Sequence, residues 1–590
     1  MPKLKIERVD AIPLLIKILQ KMRIVEIIDK IWRPASQWQG LSYGQLSLLF
    51  IVYVIHERTH RLCGMESWVE DHHFTLTACT EWEIRVKDAT DDRLGKVLEE
   101  LGGDEERQEE FHKELGGHIV QAFELPSDVG RYDTTSFNVH HSPEKEKEKE
   151  DSYLEYGYSK DKRPDLLQFK QGLGVLDPAG VPLVSHTLGG NVSDDPLYVP
   201  AWREMSEILG KKDFLYIADS KAGSIEIRAT LSKEGGYYLF PVPMTGKTPE
   251  WLREQVLNSL SSSEEFYPLD SQDKNIKPLG QGFCVTREMV HTFEDKTQHS
   301  WTEEWFVSQS YAHAQRQMKS LDARLEKATT LLTALRLGKE ESDEHFLLRA
   351  QQLLEKYRVQ PYLSVQLDET ITHTKKYLKP GRPSPKSEFH IIEKRQLNIK
   401  VQKNHEAISL EYKMAGWRPF VANRKMTIQQ TAYFYKDQWL VEHGMHRFKR
   451  GSIPVLPLWL QIPQRIVGLM TLLFVALQAL TLIEFVVRRN ISIQKQTLPG
   501  LYPGNPTRTT SSPSAESIIH AFNQLHLVCD PFNMHMQLNE SLSTLQITIL
   551  QLLELSEHIF DFSRRFLPIP YKSHHTLSLI QHSQTLQIPP

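Results

Sequence analysis

Apolar residues recur at helical spacing through residues 10–115, then give way from residue 125 to shorter runs that alternate or are apolar throughout. In the first stretch GLSYGQLSLLFIVYVIHE opens after Gly40, with Ser42 placed to cap its first turn, and DDRLGKVLEELG stops at Gly102–Gly103. Strand alternation is absent there, so residues 1–115 are expected to form an all-helical unit. The second stretch, 125–245, mixes strands and helices. RYDTTSFNVHH alternates, which puts Arg131, Asp133 and Thr135 on one strand face. SPEKEKEKEDS reads as a solvated hairpin loop. FKQGLGVLDPAGVPLVSHTL reads as two strands joined by the DPAG turn. DDPLYVPAWREMSEILG is expected to be a helix, DFLYIAD a buried strand ending at Asp219, and GGYYLFPVPM a further strand.

Between Asp219 and Glu442 lie 223 residues, more than a bare core needs, so 246–425 is expected to be a large α+β insertion. SYAHAQRQMKSLDARLEKATTLLTALRLG and DEHFLLRAQQLLEKYR have helical periodicity, whereas FHIIEKRQLNIKVQKNHEAISLEYKM reads as strands. Residues 426–490 return to the core. They include IVGLMTLLFVALQALTLIEFVV, long enough to cross a membrane, but Gln478 and Glu484 interrupt it and favour an apolar helix buried beneath a sheet. Beyond residue 490 the composition turns to Pro, Ser and Thr. LPGLYPGNPTRTTSSPSAES reads as a linker, and 491–590 as linker plus helical tail.

Composition changes this picture in two places. A chain of 590 residues with 40% hydrophobic and 24% charged residues suits a multi-unit soluble protein. Its four cysteines lack CxxC spacing, which speaks against a structural zinc site and fits a reducing compartment; MPKLKIERVDAIPLL lacks the apolar core of a signal peptide. The net charge of −4 argues against a nucleic-acid partner until it is mapped along the chain. Residues 375–425 hold thirteen Lys or Arg against four Glu, so the second half of the insertion is strongly basic. Within it KPGRP, with Lys379 and Arg382, resembles a minor-groove hook, and together with Lys375 and Lys376 suits phosphate contact. The pairs His72–His73 and His140–His141 read as packed or solvated neighbours rather than as metal ligands.

The chemistry concentrates in three acids. In YKDQWLVEHGMHRFK, Tyr435, Gln438 and Lys449 stand −7, −4 and +7 from Glu442, which one helix would display on a single face. Asp133 and Asp219 come from strands. Two strand-borne aspartates and a helix-borne glutamate are what a two-metal phosphoryl-transfer site needs, because Mg²⁺ takes hard oxygen ligands and keeps several waters.

These residues resemble the bacterial insertion-sequence transposases of the DDE class, in the branch with a Y-x2-R-x3-E-x6-K pattern. Tyr435, Glu442 and Lys449 match at the right spacing; Gln438 stands where the pattern has Arg. RYDTTSF, YGYSKDKRPDLLQFKQGLGV, GGNVSD, IADSKAGS and GWRPFVAN carry the likeness from about residue 10 to about residue 490. The resemblance implies an RNase H-like α/β core, a mixed sheet flanked by helices, split into 125–245 and 426–490, with a DNA-end-binding helical domain before it. It implies Asp133, Asp219 and Glu442 as catalytic metal ligands for Mg²⁺, with Mn²⁺ able to substitute. Tyr435, Gln438, Lys449, Lys375, Lys376, Lys379 and Arg382 would contact DNA. The implied partners are double-stranded element ends and target DNA, with a homodimer in a paired-end complex and no membrane, in the cytoplasm at the nucleoid of a bacterium. The alternative is a DNA-binding protein that keeps the fold with impaired catalysis. A stand-alone nuclease would share the site but would not need the helical domain or the basic insertion.

Overall fold

The segments around Asp133 and Asp219 form five neighbouring strands of a mixed sheet. The five are β1 (Val129–Val139), β2 (Leu167–Leu176), β3 (Val181–Gly189), β4 (Leu215–Ile217) and β5 (Tyr237–Pro241). They lie in the order β3-β2-β1-β4-β5. The β1–β2 and β2–β3 pairs are antiparallel, and β1–β4 and β4–β5 are parallel. The parallel steps require crossovers, supplied by the helices Tyr198–Leu209 and Ile225–Lys233. This sheet with its helices fits the RNase H-like core expected.

The computed structural model describes residues 4–142, 152–262, 266–269, 278–338, 341–378, 382, 384–385, 388–530 and 535–563. The charge-run loop expected at 143–151 and Lys379 lie outside them. The chain divides into two compact units, Met1–Phe240 with Val290–Trp301 and Phe434–Pro590, and Pro241–Met289 with Thr302–Tyr433.

In the first unit the helix Pro463–Gln494 is the central core element, and its apolar window is buried throughout. Its two polar interruptions have partners. Gln478 Nε2 donates to the Pro182 carbonyl at 2.9 Å, and Glu484 receives the buried Arg447 guanidinium at 2.6 Å and the Ala515 N–H at 2.9 Å. Gly468 meets the helix Asp91–Leu101 so closely that a Cβ there would stand 2.0 Å from the Leu98 carbonyl oxygen. Ser42 caps Tyr43–Glu57 through a full capping box with Gln45.

Two expectations fail here. The N-terminal region is not all-helical, because Lys5–Arg8 is a strand paired with His526–Asp530 from the far end of the chain. The expected linker packs into the unit: Leu498 and Leu501 are buried, and Glu516 accepts from Arg447 Nε at 2.8 Å and from Ser452 Oγ at 2.8 Å.

In the second unit Trp417–Ala422 pairs antiparallel with Gln298–Ser310. Leu363–Tyr377 and Phe389–Lys403 form a two-stranded ribbon, paired along all 15 residues of each strand. Its inner end is covered by the helices Tyr311–Ala334 and Asp343–Lys356, through Leu325, Ala328, Phe346 and Ala350 against Leu363, Leu397 and Ile399. Its outer part, with Lys375 and Lys376, is exposed. NHEAISLEYKM, expected as strand, is instead the helix His405–Met414. Asn404 accepts the Ala407 N–H at 3.1 Å and starts it, with Glu406 in the favourable first turn.

Candidate active site

Asp133 sits mid-way along β1. The parallel register pairs Arg131 with Ile217, and two residues further along each chain are Asp133 and Asp219. The two carboxylates therefore leave neighbouring segments at one level. Glu442 is exposed in the first turn of the helix Trp439–Arg450. Electrostatics joins the three. Burial is the largest influence on Asp133 and raises its pKa; the Lys160 charge and the Thr134 N–H lower it, and the charges of Asp219 and Glu442 raise it further, leaving it above the usual aspartate value. Like charges act this way only at close range.

Each aspartate is fixed through one oxygen. Asp133 Oδ1 accepts the Thr134 N–H at 2.7 Å and lies 3.6 Å from Lys160 Nζ. Asp219 Oδ1 accepts the Lys221 N–H at 3.0 Å and the Tyr198 hydroxyl at 2.5 Å. Among the described residues, Asp133 Oδ2, Asp219 Oδ2 and the Glu442 carboxylate accept no hydrogen bond. Carboxylate oxygens of this kind are hard donors, the type that a divalent cation such as Mg²⁺ takes.

The expected single helix face does not form. Tyr435 belongs to the helix Ile428–Lys436, Glu442 and Lys449 to Trp439–Arg450, and Asp437–Gln438 is a turn between them. The cause lies in β1. Arg131, fully buried, grips Asp177 of the DPAG turn through two bonds of 2.7 and 2.6 Å, and donates at 2.6 Å to the Phe434 carbonyl. In a continuous helix that carbonyl would accept the Gln438 N–H; here Gln438 N–H turns to the Tyr435 carbonyl at 3.3 Å. Gln438 occupies the N-cap position of the next helix without a side-chain capping bond, and among the described residues its buried Oε1 has no hydrogen-bond partner.

Lys449 stays on the Glu442 helix and pairs with Asp161 at 2.9 Å. Sequence reasoning missed Lys160, Tyr198 and Arg131 as supports of the acids. It also missed Asp194, buried between Lys170 at 3.1 Å and Lys221 at 2.7 Å. Lys160, Asp194 and Lys221 lie inside the motifs YGYSKDKRPD, GGNVSD and IADSKAGS, which was the available signal.

Residues 125–454 match the family described as Transposase DDE domain. No curated protein matches the chain. Solved chains that match include one from the cryo-EM structure of the piggyBac transposase synaptic complex with hairpin DNA. Similarity to it has a TM-score of 0.34 and 9% sequence identity, covering 99% of this chain and 92% of that one. With more than half of its length matched, this chain belongs to the Transposase DDE domain family.

Proposed function

We propose that this transposase binds the ends of an insertion sequence, cuts the DNA there and joins the freed 3′ hydroxyl to target DNA, with Asp133, Asp219 and Glu442 holding two Mg²⁺ ions. What supports this reading is the register that sets Asp133 and Asp219 at one level, together with the reach of the Glu442 charge to Asp133, in carboxylates that keep oxygens without a donor among the described residues. DDE transposases work with divalent metal ions. When bound, such ions activate an oxygen nucleophile and stabilise the leaving oxygen.

The chain's own groups prepare the site. Lys160 and the Thr134 N–H orient Asp133 by one oxygen and leave the other outward. Tyr198 does the same for Asp219. Burial and the neighbouring acids raise the pKa of Asp133, and a cation beside it would favour the ionised carboxylate. Arg131 fixes the turn from which the Glu442 helix departs. Tyr435, Gln438 and Lys449 contact DNA near these acids; Lys449 leaves Asp161 when a phosphate is offered. On the ribbon, Lys375, Lys376 and Arg382 are exposed and, with Lys379, attract DNA phosphates. Two copies act together on paired ends.

A second reading, DNA binding with impaired cutting, is favoured by one observation. The buried Gln438 Oε1 has no donor where the branch pattern has a cationic Arg. The test is cleavage of element-end DNA in Mg²⁺ or Mn²⁺. Asp133→Asn, Asp219→Asn and Glu442→Gln should each abolish cleavage while end binding survives. Full strand transfer by any of the three would overturn the assignment.

A further inference from the structure

A second cluster of ligating side chains lies on elements that carry none of the three acids. The helix Tyr43–Glu57 ends in His56 and Glu57; the chain then turns back through Arg58, at φ 54°, and the helix Met65–Asp71 brings Trp68 and His72 alongside. The His56 and His72 rings are 5.2 Å apart, and one ligand atom from each of His56, Glu57 and His72 falls within 4.8 Å of the others.

Hydrogen bonding fixes which nitrogens carry a lone pair. His72 Nδ1 is 2.8 Å from the Trp68 carbonyl, which can only accept, so Nδ1 carries the proton and Nε2 the lone pair. That Nε2 is buried without a partner, in a residue only 5% exposed. His56 Nε2 is 3.2 Å from Asp10 Oδ2 and donates to it. His56 Nδ1 then accepts the Trp68 indole N–H at 3.2 Å, yet Glu57 Oε1 lies 2.8 Å from the same nitrogen. A lone pair and a carboxylate oxygen at that distance need a cation beside them. Arg8 pairs with Glu57 only loosely, at 3.9 Å, because it bonds to Asp10 at 2.5 Å, and its side chain is 53% exposed.

We propose that His56, Glu57 and His72 form a binding site for one divalent transition-metal ion, with Zn²⁺ the best fit. Two imidazoles and one carboxylate are zinc donors and poor magnesium donors. Each histidine has an outer hydrogen bond in place, His56 to Asp10 and His72 to the Trp68 carbonyl, which is how ligating imidazoles are oriented; zinc at His56 Nδ1 displaces the Trp68 indole N–H that this nitrogen accepts at 3.2 Å. A cleft of about 460 Å³ lined by Arg8, Glu57, Trp68 and His72 opens onto the cluster and leaves a fourth position for water. Because Asp10 Oδ1 also accepts the Gln524 N–H at 2.9 Å, the ion would fasten the helical region to the strand segment near residue 526.

The experiment is calorimetric titration of the chelator-stripped full-length protein with Zn²⁺ in excess Mg²⁺, read together with its melting temperature. One Zn²⁺ per chain should bind and raise the melting temperature. His72→Gln and Glu57→Gln should each weaken binding by more than the roughly 10–100-fold typical of outer partners. Asp133→Asn should bind zinc as the parent does. Glu57 is partly exposed and its amide variant is expected to fold, which separates lost binding from lost structure. The proposal is overturned if no zinc binds, if both variants bind like the parent, or if NMR finds His56 doubly protonated with zinc present, since an imidazolium would then be the missing cation.

Discussion

Replacing Arg131 by methionine separates what this residue does for stability from what it does for the Glu442 helix. The guanidinium makes two bonds to Asp177 and one to the Phe434 carbonyl, all between 2.6 and 2.7 Å, and is wholly buried. Removing one member of a buried ion pair costs about 3–5 kcal/mol, chiefly because the other charge stays unpaired. Asp177 is that charge, with its side chain 10% exposed. Adding Asp177→Asn removes it, so the double variant should recover most of the lost stability. The Phe434 carbonyl has no such rescue. Freed from Arg131, it can take back the Gln438 N–H and draw the Asp437–Gln438 turn into continuous helix, which rotates Glu442. A displacement of about 1 Å at a catalytic group reduces rate by roughly 10²-fold. Both variants should therefore cut element-end DNA about 10²-fold more slowly than the parent at a temperature where they remain folded. Urea unfolding measures the first quantity and single-turnover cleavage the second; exchange of the Gln438 amide should slow in both variants. If the double variant regained stability and cleavage together, Arg131 would be a packing residue and the account of the helix break would be wrong.

Other outcomes follow from the same geometry. Burial pushes the Glu516 carboxyl up, but its hydrogen bond to Arg447 and that residue's charge outweigh this and hold it at about 2. The stabilisation is therefore complete above about pH 4.3, the unfolded value, and is lost as pH falls toward 2; Glu516→Gln should flatten that limb of a urea-midpoint profile. Neutralising Lys375, Lys376, Lys379 and Arg382 together should weaken binding to end and random duplex alike, and lower the salt slope of log K by about 0.9 for each phosphate no longer neutralised; an unchanged slope would assign the ribbon another partner. Gln438→Arg should raise the cleavage rate if the missing cation limits the parent, and equal rates would remove the second reading.

The sheet was legible wherever local pattern and turn chemistry agreed. Alternation around Asp133, the DPAG turn and the apolar run before Asp219 correspond to β1, the β2–β3 turn and β4. The 463–494 helix was legible as a buried element because Gln478 and Glu484 are too polar to be left without protein partners. What stayed hidden depends on residues distant in sequence. The break before Gln438 is caused by Arg131, some three hundred residues earlier. Lys5–Arg8 is a strand only because His526–Asp530 lies beside it. The His405–Met414 helix had a local signal, the Asn404 cap, that the preceding strand pattern obscured. His72 was set aside as one of an adjacent pair; only the fold reveals that its neighbour His73 is bonded to the Ile84 carbonyl while its own Nε2 is not.

The pairing of Lys5–Arg8 with His526–Asp530 has a consequence for biosynthesis. At typical elongation rates of 5–20 residues per second, Arg8 precedes Asp530 off the ribosome by on the order of half a minute to two minutes. Through that interval the early strand has an open edge, and the Leu98 side of Asp91–Leu101 lacks the Gly468 surface that covers it. The 241–289 and 302–433 unit can close earlier, since all its residues are made by then. The sheet bearing Asp133 and Asp219 thus waits for Glu442, and the first unit is finished only once residue 530 has been made. A message cut short before codon 526 would yield a protein holding all three acids but lacking the strand that seals the unit around them.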